Sequence, residues 1–301
     1  MTLSRMSRIR IGSAPDSWGV WFPDDPRQVP WRRFLDEVSE SGYDWIELGP
    51  YGYLPTDPDV LRAETERRGL AVSAGTVFTG LHRGPAVWDE TWEHVSGVAG
   101  LTRAMGAEHL VVIPSFWRDD KTGEVLEDRE LTAEQWRHLA EGTERLGREL
   151  RDRHGLRIVV HPHADTHVDT EENVARFLDA TDPDLVSLCL DTGHYAYCGG
   201  DSVKLIETYG ARIGYLHLKQ VDPKILAAVR AEELPFGPAV ARGVMCEPPA
   251  GTPALEPVLD AAQRLGVELF AIVEQDMYPC APDEPLPIAR RTRRYLRGCG
   301  A

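Results

Sequence analysis

Short apolar runs of β-type residues alternate along this chain with stretches whose apolar positions recur every three or four residues. That alternation predicts strands joined by helical crossovers, an α/β architecture. Eight rounds are readable. The predicted strands are Arg8–Ala14, Asp44–Gly49, Leu70–Val77, His109–Ser115, Arg157–His163, Val186–Asp191, Ile213–Lys219 and Glu268–Gln275. The helices between them include Trp31–Ser41, Asp59–Arg68, Trp88–Met105, Ala133–His154, Glu171–Ala180, Asp201–Tyr209, Ala254–Leu265 and Pro287–Arg297. Gly42, Gly69, Gly106, Gly155, Gly210 and Gly266 each follow a helical stretch and lead into a strand. Glycine suits that place because the residue past a helix C-terminus often needs positive φ. Eight βα units closing into one (β/α)8 barrel over residues 1–301 is the simplest architecture, and a doubly wound open sheet is the alternative. No linker or low-complexity segment divides the chain.

One connection is too long for a tight loop. After the seventh strand, Val221 to Pro253 spans roughly thirty residues, helical in character over Ile225–Glu233 and rich in Pro and Gly over Leu234–Thr252. Loops of that size in a compact domain are usually functional. The expectation is a lid over a small substrate; a surface excursion or a contact in a homo-oligomer is the alternative.

Four consecutive predicted strands run apolar and then stop at a metal-ligand type of residue. They end at His161, Asp191, His217 and Glu274. A parallel barrel gathers the carboxyl ends of its strands around one mouth, so these residues are expected to converge on a divalent cation. Carboxylate oxygens with imidazole nitrogens suit Mn²⁺ or Co²⁺, and admit Mg²⁺, Fe²⁺ or Zn²⁺. His163 lies two residues past His161 and shares its face of an extended strand. Either can be the ligand, the other facing substrate; His161 is preferred because it stands where the apolar run ends.

Further polar residues cluster near these strand ends. His194, in Asp191-Thr192-Gly193-His194, is a candidate acid/base, or else shapes its loop. Lys219 shares the inward face of strand seven with His217 and suits an enolate or hydroxyl; a salt bridge to a carboxylate such as Glu274 is the plainer role. Glu47, near the end of strand two, is a second acid/base candidate, or a partner for a nearby cation. Aromatics crowd the loops after strands: Trp18, Trp21, Phe22, Tyr51, Tyr53, Phe78, Phe116 and Trp117. Trp18, Tyr51, Phe78 and Trp117, with His163, are expected to contact substrate, since aromatic faces stack on the C–H faces of sugars.

Composition removes other classes. Carboxylates number 48 against 33 Lys plus Arg, a net charge of −15 with no basic run, which argues against nucleic acid or an anionic membrane. Five scattered cysteines without a CxxC argue against a disulfide framework or zinc knuckle. Met1 to Arg10 carries arginines but no following apolar stretch, so no signal peptide is expected and the cytoplasm is the expected compartment. No GxGxxG, GKS/T or GxSxG motif is present.

The chain resembles the xylose isomerase-like TIM barrels, the sugar phosphate isomerase/epimerase family, over nearly its full length, and within them the inosose dehydratases. The matching segments are Ala14-Pro15-Asp16-Ser17-Trp18-Gly19-Val20-Trp21, Ile46-Glu47-Leu48-Gly49-Pro50-Tyr51-Gly52-Tyr53, His161-Pro162-His163, Leu190-Asp191-Thr192-Gly193-His194 and Val273-Glu274-Gln275-Asp276. The resemblance implies a Mn²⁺- or Co²⁺-type site with the pattern Glu, Asp, His, Glu on strands five to eight. Asp191, His217 and Glu274 match; His161 stands where most relatives have Glu. Gln220 replaces a common Asp, and Glu247-Pro248-Pro249-Ala250-Gly251 replaces a Pro-Gly-x-Gly turn.

Residues and resemblance together imply a metal-dependent lyase or isomerase acting on a keto-polyol or keto-sugar. A cation would polarise the carbonyl, His194 or Glu47 would take the α-proton, and Lys219 would help hold the enolate. Loss of the β-hydroxyl gives dehydration; reprotonation gives isomerisation or epimerisation. Cleavage of a 3-keto-glycoside uses the same logic, and a non-enzymatic sugar-binding subunit is the remaining alternative.

Overall fold

The computed structural model describes residues 9–301. Arg8, where the first predicted strand begins, and most of the Met1–Arg10 segment lie outside them. Eight parallel strands close a barrel: β1 (Ile9–Ser13), β2 (Trp45–Glu47), β3 (Ala71–Thr79), β4 (His109–Pro114), β5 (Arg157–Val160), β6 (Val186–Asp191), β7 (Ile213–Leu218) and, after a two-stranded excursion, β10 (Leu269–Val273). β10 pairs with both β7 and β1, which leaves the barrel without a sheet edge. The helices are α1 (Trp31–Glu40), α2 (Pro58–Glu66), α3 (Trp88–Ala104), α4 (Ala133–His154), α5 (Glu171–Asp179), α6 (Thr192–Tyr197), α7 (Ser202–Tyr209), α8 (Pro223–Ala231), α9 (Phe236–Ala241), α10 (Leu255–Arg264) and α11 (Pro285–Gly298).

Period-two alternation sorts each strand. One face joins a large apolar layer shared with the helices, including Phe34, Leu61, Leu110, Leu146, Leu216 and Leu259. The other face fills the barrel with Ala74, Val111, Val159, Cys189, Tyr215 and Ile272. Each of the last four is followed two residues later by His161, Asp191, His217 or Glu274, so the inward face turns polar as it reaches the mouth. Register completes the convergence, since Asp191 pairs directly with His217.

Helix starts are fixed by side chains the sequence supplies. Asp57, Thr170, Asp201 and Asp222 accept from amides at the starts of α2, α5, α7 and α8, and Thr132 with Gln135 forms a capping box on α4. Of the six glycine stops, five have positive φ; Gly210 does not, at −52°. The chain there continues as a single 3-10 turn, Gly210–Arg212, straight into β7, so no left-handed stop is needed.

The long excursion after β7 is ordered. It comprises β8 (Gln220–Val221) paired antiparallel with β9 (Met245–Cys246), plus α8 and α9. Its own apolar cluster includes Val221, Leu226, Val229, Phe236, Val240 and Met245. Gln220 ties its ends, donating to the Pro253 carbonyl at 2.6 Å and accepting from the Gly251 amide at 3.2 Å. Among the described residues no helix is long and apolar enough to cross a membrane.

Candidate active site

The mouth opens into a cavity of about 570 Å³ lined by His161, His163, His194, His217, Lys219 and Glu274, with Asp16 and Asp276. The ligand-type atoms of His161, Asp191, His217 and Glu274 all lie within 4.8 Å of one another, and all four residues are buried. His217 Nδ1 is 3.0 Å from Glu274 Oε2 and 3.6 Å from Asp191 Oδ2, while His161 Nε2 is 3.6 Å from the same Asp191 oxygen. His163 is outside this group; its ring lies 3.6 Å from that of His194, centroid to centroid.

Local structure explains where these atoms point. Asp191 is the last residue of β6 and the N-cap of α6. Its Oδ1 accepts from the amides of Gly193 and His194, both at 2.8 Å. That leaves Oδ2 facing the cluster, 3.1 Å from the Lys219 ammonium. His217 is oriented from behind, with Nε2 donating to Glu47 Oε1 at 2.6 Å, so Nδ1 faces inward toward Glu274 Oε2. His161 Nδ1 donates to the Pro162 carbonyl at 2.7 Å, which turns Nε2 inward. Two imidazoles and two carboxylates, buried and with their inward-facing donor atoms gathered this closely, fit a divalent cation.

Lys219 lies deep in the same site. Its Nζ is 2.8 Å from Asp276 Oδ2, 3.1 Å from Asp191 Oδ2, 3.2 Å from Glu274 Oε2 and 3.0 Å from His194 Nε2. Burial alone would lower its pKa; Asp191, Asp276 and Glu274 outweigh that and hold the ammonium well above its ordinary value. Gly193 lets the side chain pass, because a Cβ there would sit 2.5 Å from Lys219 Cγ. His194 is pushed well below the ordinary histidine range by burial, then by His163 and Lys219. Burial would raise Glu274, but His217 and Lys219 bring it down to about 2. Asp16 goes the other way: burial, then Glu274 and Asp276, raise its carboxyl well above the usual range.

The remaining residues singled out in the sequence divide. Tyr51, Phe78 and Phe116 line the cavity, as do Trp21 and Phe22. Trp18 does not: it is fully buried, donates Nε1 to Glu37 Oε2 at 2.8 Å and packs edge-on against Phe34. Tyr53 is likewise buried, its hydroxyl donating to the Val29 carbonyl. Trp117 lines a separate cavity with Arg118 and Arg129. Glu47 is buried behind His217, its other oxygen accepting from Thr76 Oγ1 at 2.9 Å. Asp16 and Asp276, which the matching segments contain without a role, and Phe236 also line the cavity. Asp276 lies two residues past Glu274, so the alternation that pairs Lys219 with His217 also points to it. Phe236 comes from α9 in the excursion and packs on His163 and His194, with centroids 5.1 and 4.9 Å apart; no local pattern marks it.

The chain is similar to curated proteins described as inosose dehydratases. That of Geobacillus thermodenitrificans (strain NG80-2) is 30% identical over 301 residues, covering 98% of each chain. That of Geobacillus kaustophilus (strain HTA426) is 31% identical over 296 residues, covering 96% of this chain and 94% of the relative. Among solved structures, the IOLI protein with a bound zinc atom superposes with a TM-score of 0.72 at 17% identity, covering 95% of this chain and 97% of that one. These likenesses make the chain an enzyme of the lyase or isomerase type. The family model for the xylose isomerase-like TIM barrel matches residues 35–299, and the chain belongs to that family.

Proposed function

We propose that this chain is a divalent-metal-dependent carbon–oxygen lyase that dehydrates a keto-polyol of the inosose class through an enolate. The observation carrying the reading is the buried set His161, Asp191, His217 and Glu274, gathered within 4.8 Å beside a cavity that also holds Lys219 and His194. The curated relatives supply the substrate class. Those four residues would hold the cation, Mn²⁺ or Co²⁺ by their mixed N/O donor set. When bound, it supplies Lewis acidity toward a ketone and its neighbouring hydroxyl.

The chain's own groups supply the rest. His194 is neutral at neutral pH and takes the α-proton. A substrate oxygen that takes the hydrogen bond now running 3.0 Å from Lys219 Nζ to His194 Nε2 frees that nitrogen's lone pair to accept the proton. Lys219 stays charged and stabilises the developing enolate oxygen. Asp16 retains its proton because burial and two neighbouring carboxylates disfavour its charge. It donates that proton as the β C–O bond breaks, releasing water. Proton transfer from His194 back to Asp16 through solvent resets the site. Tyr51 and Phe78 face the C–H surfaces of the ring, and Phe236 closes the site over His163 and His194, limiting water.

The test is incubation of inosose and a panel of ketoses with the chelator-stripped chain, with and without Mn²⁺ or Co²⁺. Products are followed by mass spectrometry in deuterated solvent. Metal-dependent loss of one water from inosose is expected. Rearranged products of unchanged mass would replace the dehydratase reading with isomerisation, and turnover without metal would remove the cation from the reaction.

A further inference from the structure

We infer that the chain carries a second divalent-cation site, of the zinc class, formed by His82, Glu127 and His167 on the rim of the barrel. These residues come from three successive loops: His82 follows β3, Glu127 follows β4 and His167 follows β5. Their ligand-type atoms lie within 4.8 Å of one another. His82 is fully buried and His167 is 1% exposed.

Hydrogen bonding makes the case for an ion. His167 Nδ1 donates to the Arg129 carbonyl at 2.9 Å. In the neutral ring that leaves Nε2 as a bare acceptor. It points at Glu127 Oε1 from 3.7 Å, and nothing hydrogen-bonds to it. A buried lone pair facing a carboxylate oxygen is unfavourable unless a positive centre lies between them. His82 Nε2 meets the other oxygen, Glu127 Oε2, at 2.8 Å, and the two imidazole centroids are 4.5 Å apart. Tetrahedral zinc with bonds of about 2.0–2.1 Å needs ligand atoms roughly 3.3 Å apart. The two nitrogen–oxygen separations, 2.8 and 3.7 Å, bracket that spacing.

The support around the site is of the kind metal ligands use. The Arg129 carbonyl fixes the tautomer and orientation of His167. Glu127 is held by its backbone amide, which donates to the Trp117 carbonyl at 3.1 Å. Arg83 pairs at 2.6 Å with Oε1, the oxygen that faces His167, while Oε2 meets His82 Nε2. That guanidinium also competes with a cation, so the affinity is set against it. Two histidines and one glutamate leave a fourth position for water. An ion there would cross-link the loops after β3, β4 and β5, the last two of which carry Phe116 and His163 into the cavity. The role is structural support of the rim.

The experiment uses the full chain, stripped with chelator, loaded with Zn²⁺ alone and freed of excess metal by gel filtration. Asp191→Asn removes the mouth set and keeps an amide oxygen able to cap α6. Asp191→Asn is expected to retain one Zn²⁺ per chain, and the double variant Asp191→Asn/His167→Gln to retain none. Zn²⁺ should also slow hydrogen exchange in Asp191→Asn over residues 81–83, 126–129 and 165–168. Equal Zn²⁺ content in the single and double variants would overturn the site. If the double variant does not fold, protection of those three segments in Asp191→Asn decides, and its absence overturns the site.

Discussion

Glu47 distinguishes two roles that sequence leaves equal. If it acts by holding His217, its replacement should register first in metal affinity. His217 Nε2 and Glu47 Oε1 are 2.6 Å apart, with side chains 1% and 2% exposed, so no water replaces the bond when it is lost. Glu47→Ala leaves a buried imidazole N–H without an acceptor, at a cost of about 1–3 kcal/mol. Loss of such an outer partner typically weakens metal binding by roughly 10–100-fold, which is about 1.4–2.7 kcal/mol. Glu47→Gln keeps an amide oxygen as acceptor and should fall near the lower bound. The assay is Co²⁺ affinity by competition with a chelator, beside kcat at saturating metal. A general base would behave differently: its loss costs about 10²–10⁴ in rate with Co²⁺ affinity unchanged. Wild-type affinity in Glu47→Gln together with a collapse of kcat at saturating metal would refute the positioning role.

Gly193→Ala should lower kcat with the fold intact by circular dichroism, because its methyl would have to displace Lys219 from its carboxylate cage; unchanged turnover would mean Lys219 is not needed where it lies. Trp18→Ala should cost about 3–5 kcal/mol in urea unfolding, while Phe78→Ala, half exposed at the mouth, should leave stability alone and raise KM. A rise in KM for Trp18→Phe without loss of stability would contradict the buried placement. His109, packed against the rings of Tyr215 and Phe270, is pushed by burial down to about 4. Its folded value lies below the unfolded one, so the stability it contributes is full above the ordinary value of 6.5 and is lost as pH falls toward 4. The loss is on the order of 3 kcal/mol; a stability difference between wild type and His109→Gln that stays constant across that window would show the ring is not so buried.

Much of this arrangement could be read before the structure, for physical reasons that also mark the limit. Strand-end donors were visible because a strand buried on both faces is continuously apolar, so the first ligand-type residue stands out where it ends. The same contrast failed for Asp16, which lies within the 3-10 turn Pro15–Trp18 after β1, and for Asp276, which lies past the end of β10. Aromatics after strands were visible, but their direction was not. Trp18 and Trp21 are three residues apart, yet the turn between them sends one ring into the helix layer and the other to the cavity. Gly210 mimicked the other stops because composition cannot separate a left-handed stop from a helix that runs on as a 3-10 turn. Phe236 was out of reach, since its place depends on the excursion folding back over the mouth.

The two oxygens of Asp191 have separate employments, one at the start of a helix and one at the cluster. The ligand and the imidazole three residues later are therefore mechanically yoked. A longer side chain at this position would shift the helix and carry His194 with it, so donor geometry and the reach of the proton acceptor cannot be retuned independently. Any drift toward a different ion through this residue would change the chemistry on the substrate at the same stroke.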